Sequence, residues 1–270
     1  MIVPFLDCNC VYNTYGSDPL DPATSIQNAI RTNLLLVGWT EPAPGGTFYS
    51  PVRTDGVQMS IKVNHVSGSQ VSYEVFDHLG RRVNPDTNNR TCQNITATIN
   101  PPGTRFNIYA GARYLLVEVD ASSGGSIWYA AILNKEPDPI DQPFPVYLSS
   151  YGPVRGDGST AASSWGQVWV ALNGPGTSYI DNLVCWNGLS ASGQDHFSAQ
   201  GSMMFVPTEF GASSGYFFGR LPNMLLVCAT QSAGVTFTVP LDDSHTGTFR
   251  VLRGTSSVPL GAWGLAARMT

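Results

Sequence analysis

Short segments that alternate apolar and polar residues recur along this chain of 270 residues, and clusters of glycine and proline separate them. The alternation runs through residues 59–63, 71–75 and 167–171. Because successive side chains of a strand point to opposite faces, this pattern predicts β-strands with one buried face. Continuously apolar runs at residues 114–117, 127–133 and 224–228 predict strands buried between two layers. The pattern therefore predicts an all-β, mainly antiparallel chain with the strand spacing of a sandwich or barrel.

Composition excludes several other classes of protein. Charged residues make up 12% of the chain, hydrophobic residues 42%, and the net charge is −5. Coiled coils need long stretches of charged helix formers, and disordered chains combine high net charge with few hydrophobic residues. Lys62 and Lys135 are the only lysines and no basic tract exists, so we expect no direct binding of nucleic acid. The longest strongly apolar run, residues 34–37, is far below the roughly 20 residues that span a bilayer, so we expect no membrane partner.

One segment, residues 21–31, has the pattern of a helix. Asp21 or a nearby serine is suited to cap its amino end, and Pro22 fits the first turn. Ile26 and Ile30 stand one turn apart and would share a buried face. We predict a single brief helix here.

A weak internal repeat bears on the division into domains. Residues 49–56 (YSPVRTDG) resemble residues 151–158 (YGPVRGDG), and the two stretches lie about 100 residues apart, the size of one β-sandwich. We predict an extended N-terminal segment with the helix (1–45), two β-sandwich units (46–140 and 141–254) and an apolar C-terminal tail (255–270). The boundary between the units would fall in the proline-rich stretch 135–145. The alternative is a chance similarity of strand-turn sequences within a single jelly roll.

The sharpest binding motif is Arg155, Gly156 and Asp157, the tripeptide that integrins recognise on exposed loops. The glycine, serine and threonine that follow it favour such a loop. The matching stretch of the repeat has Arg53 and Asp55 without the central glycine, which favours a role of both side chains in a turn. The motif is our candidate for receptor binding, with the turn as the alternative.

Motifs for catalysis and metal binding are weak. Ser213 lies in a G-x-S-x-G pattern, but no helix is predicted after it, as the nucleophile elbow of a hydrolase requires. Ser244 is adjacent to His245, and neighbours on an extended chain point to opposite faces. Cys8 and Cys10 have no further ligands at a recognisable spacing. We predict no enzyme activity and no catalytic, cofactor-binding or metal-binding residues, with a serine hydrolase that uses a distant histidine as the alternative.

The tryptophans divide into two groups. Trp128, Trp169 and Trp186 lie in or beside apolar strands and are predicted to be in the core. Trp39 and Trp263 stand beside glycines and are predicted to be at the surface or in a partner contact.

Several segments resemble the capsid proteins of picorna-like viruses. Residues 2–6 (IVPFL), followed by residues 12–16 (YNTYG), resemble the VPF-type loop that precedes the last strands of their jelly rolls. Residues 32–38, 57–63 and 75–76 are similar to the paired final strands, and residues 237–241 and 249–252 have a similar pattern. The resemblance implies a viral jelly roll and a structural role in the shell or a surface projection. Residues of a basic internal arm are absent from the sequence, so it does not imply genome packaging.

These observations together predict a structural capsid protein of a non-enveloped icosahedral virus. Its partners would be other capsid subunits and a host receptor, and it would be found in the virion and, during assembly, in the host cytoplasm. Five scattered cysteines favour such a reducing compartment. The alternative is a β-sandwich module that binds carbohydrate or a receptor.

Overall fold

A computed structural model describes residues 9–16, 21–54, 56–67, 70–80, 105–119, 126–132, 146–152, 167–172, 177–179, 183–185, 205–212, 217–228, 234–241, 245–252 and 263–270. These residues form one helix and sixteen strands. In chain order they are β1 Cys10–Gly16, α1 Pro22–Leu36, β2 Thr47–Tyr49, β3 Ser60–Ser67, β4 Gln70–Phe76, β5 Arg105–Gly111, β6 Tyr114–Val119, β7 Ser126–Ile132, β8 Val146–Gly152, β9 Gln167–Leu172, β10 Thr177–Tyr179, β11 Leu183–Cys185, β12 Phe205–Ala212, β13 Phe217–Cys228, β14 Thr236–Pro240, β15 Thr246–Val251 and β16 Trp263–Arg268.

The strands form three sheets in which the paired strands run antiparallel. One has seven strands in the order β1-β5-β6-β7-β8-β9-β10, the second has six in the order β11-β12-β13-β16-β15-β14, and the third is β2-β3-β4. The prediction of a mostly β, antiparallel fold is confirmed. Both the alternating and the continuously apolar segments singled out in the sequence coincide with strands, apart from Met59, which immediately precedes β3, and residue 133, which lies outside the described residues.

The seven-stranded sheet contains strands from both sides of two predicted boundaries. β1, from the predicted N-terminal segment, pairs with β5, and β7 pairs with β8 across the proline-rich stretch. A boundary at residues 140 and 141 would therefore have to lie within one continuous sheet. The division into two units stays a prediction.

The helix is where the sequence predicts it, and it is longer. Asp21 caps it, since its Oδ1 accepts a hydrogen bond from the Thr24 N–H at 3.1 Å. The apolar spacing of Ile26 and Ile30 continues to Leu34, and all three side chains are fully buried. Gly38, at a φ of +87°, follows the helix, and its N–H donates to the Leu35 carbonyl. The expectation from the resemblance that residues 32–38 form a strand is wrong, because residues 32–36 continue the helix.

The helix and two of the sheets enclose one hydrophobic core, which we call the apolar joint. The helix contacts β1, β3, β4 and β5. The joint consists of buried apolar side chains from the helix, the three-stranded sheet and the seven-stranded sheet, including Ile26, Ile30, Leu34, Phe48, Ile61, Val63, Val75, Phe106, Ile108, Val117 and Ile132. Burial of apolar surface therefore holds these three elements together.

Trp39 corrects an expectation from the sequence. Its side chain is only 2% exposed and lies in the apolar joint, and its indole N–H donates to the Gly111 carbonyl at 2.9 Å. The glycine beside it serves the end of the helix rather than an exposed loop. The side chains of Trp128, Trp169, Trp186 and Trp263 lie outside the described part of the structure.

The six-stranded sheet has a smaller apolar cluster of its own. Leu225, Leu241, Phe249 and Ala266 are buried together, and the rings of Phe237 and Phe249 stack with centroids 6.0 Å apart. In the described ranges, helix length and hydropathy fall short of what a membrane crossing requires.

Candidate functional site

The three-stranded sheet presents a polar and aromatic outer face. The strand register pairs Thr47 with Lys62, and it aligns Tyr49, Ser60 and Phe76 across the three strands. Paired residues project from the same face of a sheet. The alternate residues, Phe48, Ile61 and Val75, are buried in the apolar joint. The alternation of these strands thus separates a core face from a face that is available to a ligand.

A turn after β4 converts this outer face into a cleft. The Asp77 carboxylate accepts the Leu79 N–H at 2.9 Å, and the Gly80 N–H donates to the Asp77 carbonyl at 3.0 Å. Gly80 has a φ of +72°, a conformation that favours glycine. The cleft has a volume of about 290 Å³. It is lined by Thr47, Tyr49, Gln58, Met59, Ser60, Lys62, Phe76, Asp77, His78 and Gly80.

His78 is held in this cleft by a residue of the seven-stranded sheet. Its Nδ1 lies 2.8 Å from the hydroxyl of Tyr147 on β8, and its backbone N–H donates to the same hydroxyl at 3.3 Å. Tyr147 is buried and also donates to the Gln58 carbonyl at 3.3 Å. The imidazole is therefore fixed through Nδ1, and its Nε2 has no hydrogen-bond partner among the residues that the structure describes.

A second cluster, buried between sheets, joins β6 to β15; we call it the polar joint and define it as Asn107, Tyr109, Glu118 and Arg250. Glu118 is completely buried, and its Oε2 forms an ion pair with Arg250 Nη1. The same nitrogen of Arg250 donates to the Tyr109 hydroxyl at 2.9 Å, and Asn107 Nδ2 donates to Glu118 Oε2 at 2.8 Å. The buried carboxylate is thus both paired and hydrogen-bonded.

The polar joint fixes the protonation states of Tyr109 and Arg250. Burial raises the pKa of Tyr109, and the negative charge of Glu118 raises it further. Burial lowers the pKa of Arg250, but the Glu118 charge and Tyr109 together outweigh this and the pKa is raised overall. Arg250 stays charged and Tyr109 stays neutral at physiological pH. This arrangement is suited to holding sheets together rather than to exchanging protons with a substrate.

The predicted receptor-binding residues Arg155, Gly156 and Asp157 lie outside the described residues, as do Ser213, Ser244 and Cys8. The matching stretch of the repeat is described in part. The Arg53 N–H donates to the Val57 carbonyl at 2.9 Å, and the Gly56 N–H donates to the Arg53 carbonyl at 2.9 Å. Arg53, Gly56 and Val57 are therefore held in a tight turn. Receptor binding at residues 155–157 stays a prediction.

Sequence reasoning did not identify the cleft or the polar joint. Two features of the sequence could have indicated them. Lys62 lies on the polar side of an alternating strand, and Glu118 is the one charged residue in an otherwise apolar strand. The contact of His78 with Tyr147 joins residues far apart in the chain, so no local pattern carries it. Over the ranges that the structure describes, clusters of three or more histidine, cysteine or acidic side chains that could hold a metal are absent.

A scan against protein-family models finds no match for this chain. A search of curated proteins also finds no significant match.

Proposed function

We propose that this chain is a structural protein of a non-enveloped, picorna-like virus, in the shell or in a surface projection. Its strands would form β-sandwich or jelly-roll units that contact other capsid subunits. The proposal of a viral capsid rests on the resemblance of several sequence segments to capsid proteins, and the mostly antiparallel β fold is compatible with it. Receptor contact through Arg155, Gly156 and Asp157 belongs to the same proposal.

The observation that carries this proposal is the exposure of three large apolar side chains near the end of the helix, Leu35, Leu36 and Val52, which we call the helix-end patch. Their side chains are 44%, 65% and 63% exposed. The end of the helix lies beside the segment that holds Val52, since a Cβ on Gly38 would be 3.6 Å from Pro51 Cγ. Large apolar side chains that are exposed in one region of the surface are typical of surfaces that another protein covers. A subunit contact would remove them from water.

Assembly in solution tests the proposal. We expect the full chain to form oligomers in sedimentation velocity, and Leu36→Asp to shift it towards the monomer because a charge would be buried in the contact. The matched control is Asn28→Asp, which adds the same charge at an exposed position of the same helix. A chain that stays monomeric at high concentration, or that assembles equally well with Leu36→Asp, would contradict the proposal.

A second candidate function is carbohydrate binding, and the cleft favours it. Tyr49 and Phe76 stand on either side of Ser60 on the outer face of the three-stranded sheet. Aromatic rings offer a sugar a flat apolar surface, and the hydroxyl, amide and imidazole groups of the lining offer hydrogen bonds.

A further inference from the structure

We propose that the cleft binds a pyranose that carries a carboxylate, such as a uronic acid. The inference rests on the second candidate function, carbohydrate binding, and names its ligand and contacts. It does not depend on assembly of the chain into particles.

The aromatic residues set the size of the ligand. Tyr49 is on β2 and Phe76 at the end of β4, so one strand separates them, and neighbouring strands lie about 4.8 Å apart. The Cα atoms of Tyr49 and Phe76 are therefore separated by roughly 10 Å across Ser60. A volume of about 290 Å³ is at the lower end for small-molecule sites. One sugar ring over Ser60, in contact with both aromatic side chains, fits this space better than a long chain.

The polar groups of the lining match sugar hydroxyls. The hydroxyls of Thr47 and Ser60 make no hydrogen bonds to other described residues, and Nε2 of His78 is likewise unused. The Gln58 amide is oriented by its donation to the Ser50 carbonyl at 2.7 Å. Groups fixed by the sheet and by Tyr147 can bind a hydroxylated ring with little loss of their own conformational freedom.

Lys62 selects an acidic sugar. Its half-buried side chain lines the cleft, and it has no ion-pair partner within the described ranges. The carboxylate of the lining, Asp77, is almost fully buried and accepts the Leu79 N–H of the turn. Glu74 lies opposite Lys62 in the register of β3 and β4, but its Oε2 accepts a hydrogen bond from Asn64 Nδ2 at 3.4 Å and it does not line the cleft. Among the residues that line the cleft, the accessible charge is therefore the ammonium of Lys62. A ligand carboxylate there would form a charge-assisted hydrogen bond.

The test uses the full chain with three probes: glucuronic acid, glucose and acetate. Glucuronic acid and glucose differ only in the carboxylate at C6, and acetate offers a carboxylate without a ring. Titration followed by protein NMR should show glucuronic acid binding roughly tenfold more tightly than glucose, with shifts confined to the cleft. Acetate should bind more weakly than glucuronic acid.

Two matched variants locate the charge. Lys62→Gln should abolish the preference for glucuronic acid while glucose binding is retained. Arg105→Gln removes an exposed cation that does not line the cleft and should change neither affinity. Amide spectra in the absence of ligand check that both variants are folded.

The outcomes distinguish selectivity for acidic sugars from carbohydrate binding in general. Equal binding of glucose and glucuronic acid, or an unchanged preference in Lys62→Gln, would overturn the assignment to acidic sugars and leave carbohydrate binding standing. Acetate binding as tight as that of glucuronic acid would also overturn it, because charge alone would explain binding. If neither sugar binds, both this inference and the second candidate function are wrong.

Discussion

The apolar joint and the polar joint connect sheets by opposite chemistry. The apolar joint packs aliphatic and aromatic side chains of the helix and the three-stranded sheet against the seven-stranded sheet. The polar joint connects the seven-stranded and six-stranded sheets through the Glu118 carboxylate and the Arg250 guanidinium. Apolar burial is non-directional, whereas a buried ion pair is favourable only in one geometry. We therefore expect the apolar joint to supply stability and the polar joint to fix how two sheets meet.

The largest effect is expected from breaking the polar joint on one side. Glu118→Leu leaves the Arg250 guanidinium partly buried without its carboxylate, so we expect a loss of about 4 kcal/mol in the free energy of unfolding. Urea denaturation measures this. The double variant Glu118→Leu with Arg250→Met should recover most of the loss, because no buried charge remains. If the loss in the double variant equals the sum of the losses in Glu118→Leu and Arg250→Met alone, the two side chains are not coupled.

The apolar joint should respond more moderately and independently. Ile30→Ala removes a fully buried side chain from the helix face and should cost about 3 kcal/mol. Its effect should add to that of Arg250→Met, since the side chains belong to different joints. Asn28→Ala, on the exposed side of the same helix, should change stability little. Strong coupling of Ile30→Ala to Arg250→Met would break the distinction between the joints.

The smallest effect is expected outside both joints, at the helix cap. Hydrogen bonds from Thr24 hold the pKa of Asp21 below its ordinary value, and His65, 3.6 Å away, contributes. A lowered carboxylate pKa stabilises the fold above the unfolded value of about 3.9, and this stabilisation is lost as the pH falls through the folded value. Asp21→Asn keeps a capping oxygen but does not titrate. The difference in thermal midpoint between the two proteins should shrink below about pH 4. A difference that is constant with pH would rule out the charge of Asp21 as its source.

Local patterns in the sequence predicted the helix and many of the strands. They did not predict contacts between residues that are far apart in the chain. Asp21, Pro22 and the spacing of Ile26 and Ile30 predict the helix because capping and periodicity act within a few residues. The same reasoning misplaced Trp39, since it is buried by residues far away in the chain, in the apolar joint, and its indole N–H donates to the Gly111 carbonyl of β5. Alternation shows which face of a strand is buried, but it does not show which strands pair with one another. The arrangement of the strands in three sheets could therefore not be predicted from it.

The candidate site shows the same limit. Alternation places Lys62 on the polar side of β3, and this side of the sheet forms one part of the cleft. The wall of the cleft depends on the turn at Asp77 and on Tyr147, which belongs to another sheet. Glu118 stands in an apolar run, where a buried charge needs a partner, but the sequence does not indicate that the partner is Arg250.

The pairing of β1 with β5 has a consequence for biosynthesis. The first strand leaves the ribosome long before its neighbour, and at ordinary translation speeds the delay is on the order of ten seconds. Until β5 is synthesised, β1 lacks the strand with which it pairs in the seven-stranded sheet. β1 and β5 are neighbours in the sheet but not in the chain, so their pairing spans the longest stretch of chain in this sheet and should be its slowest contact to form when the full chain refolds.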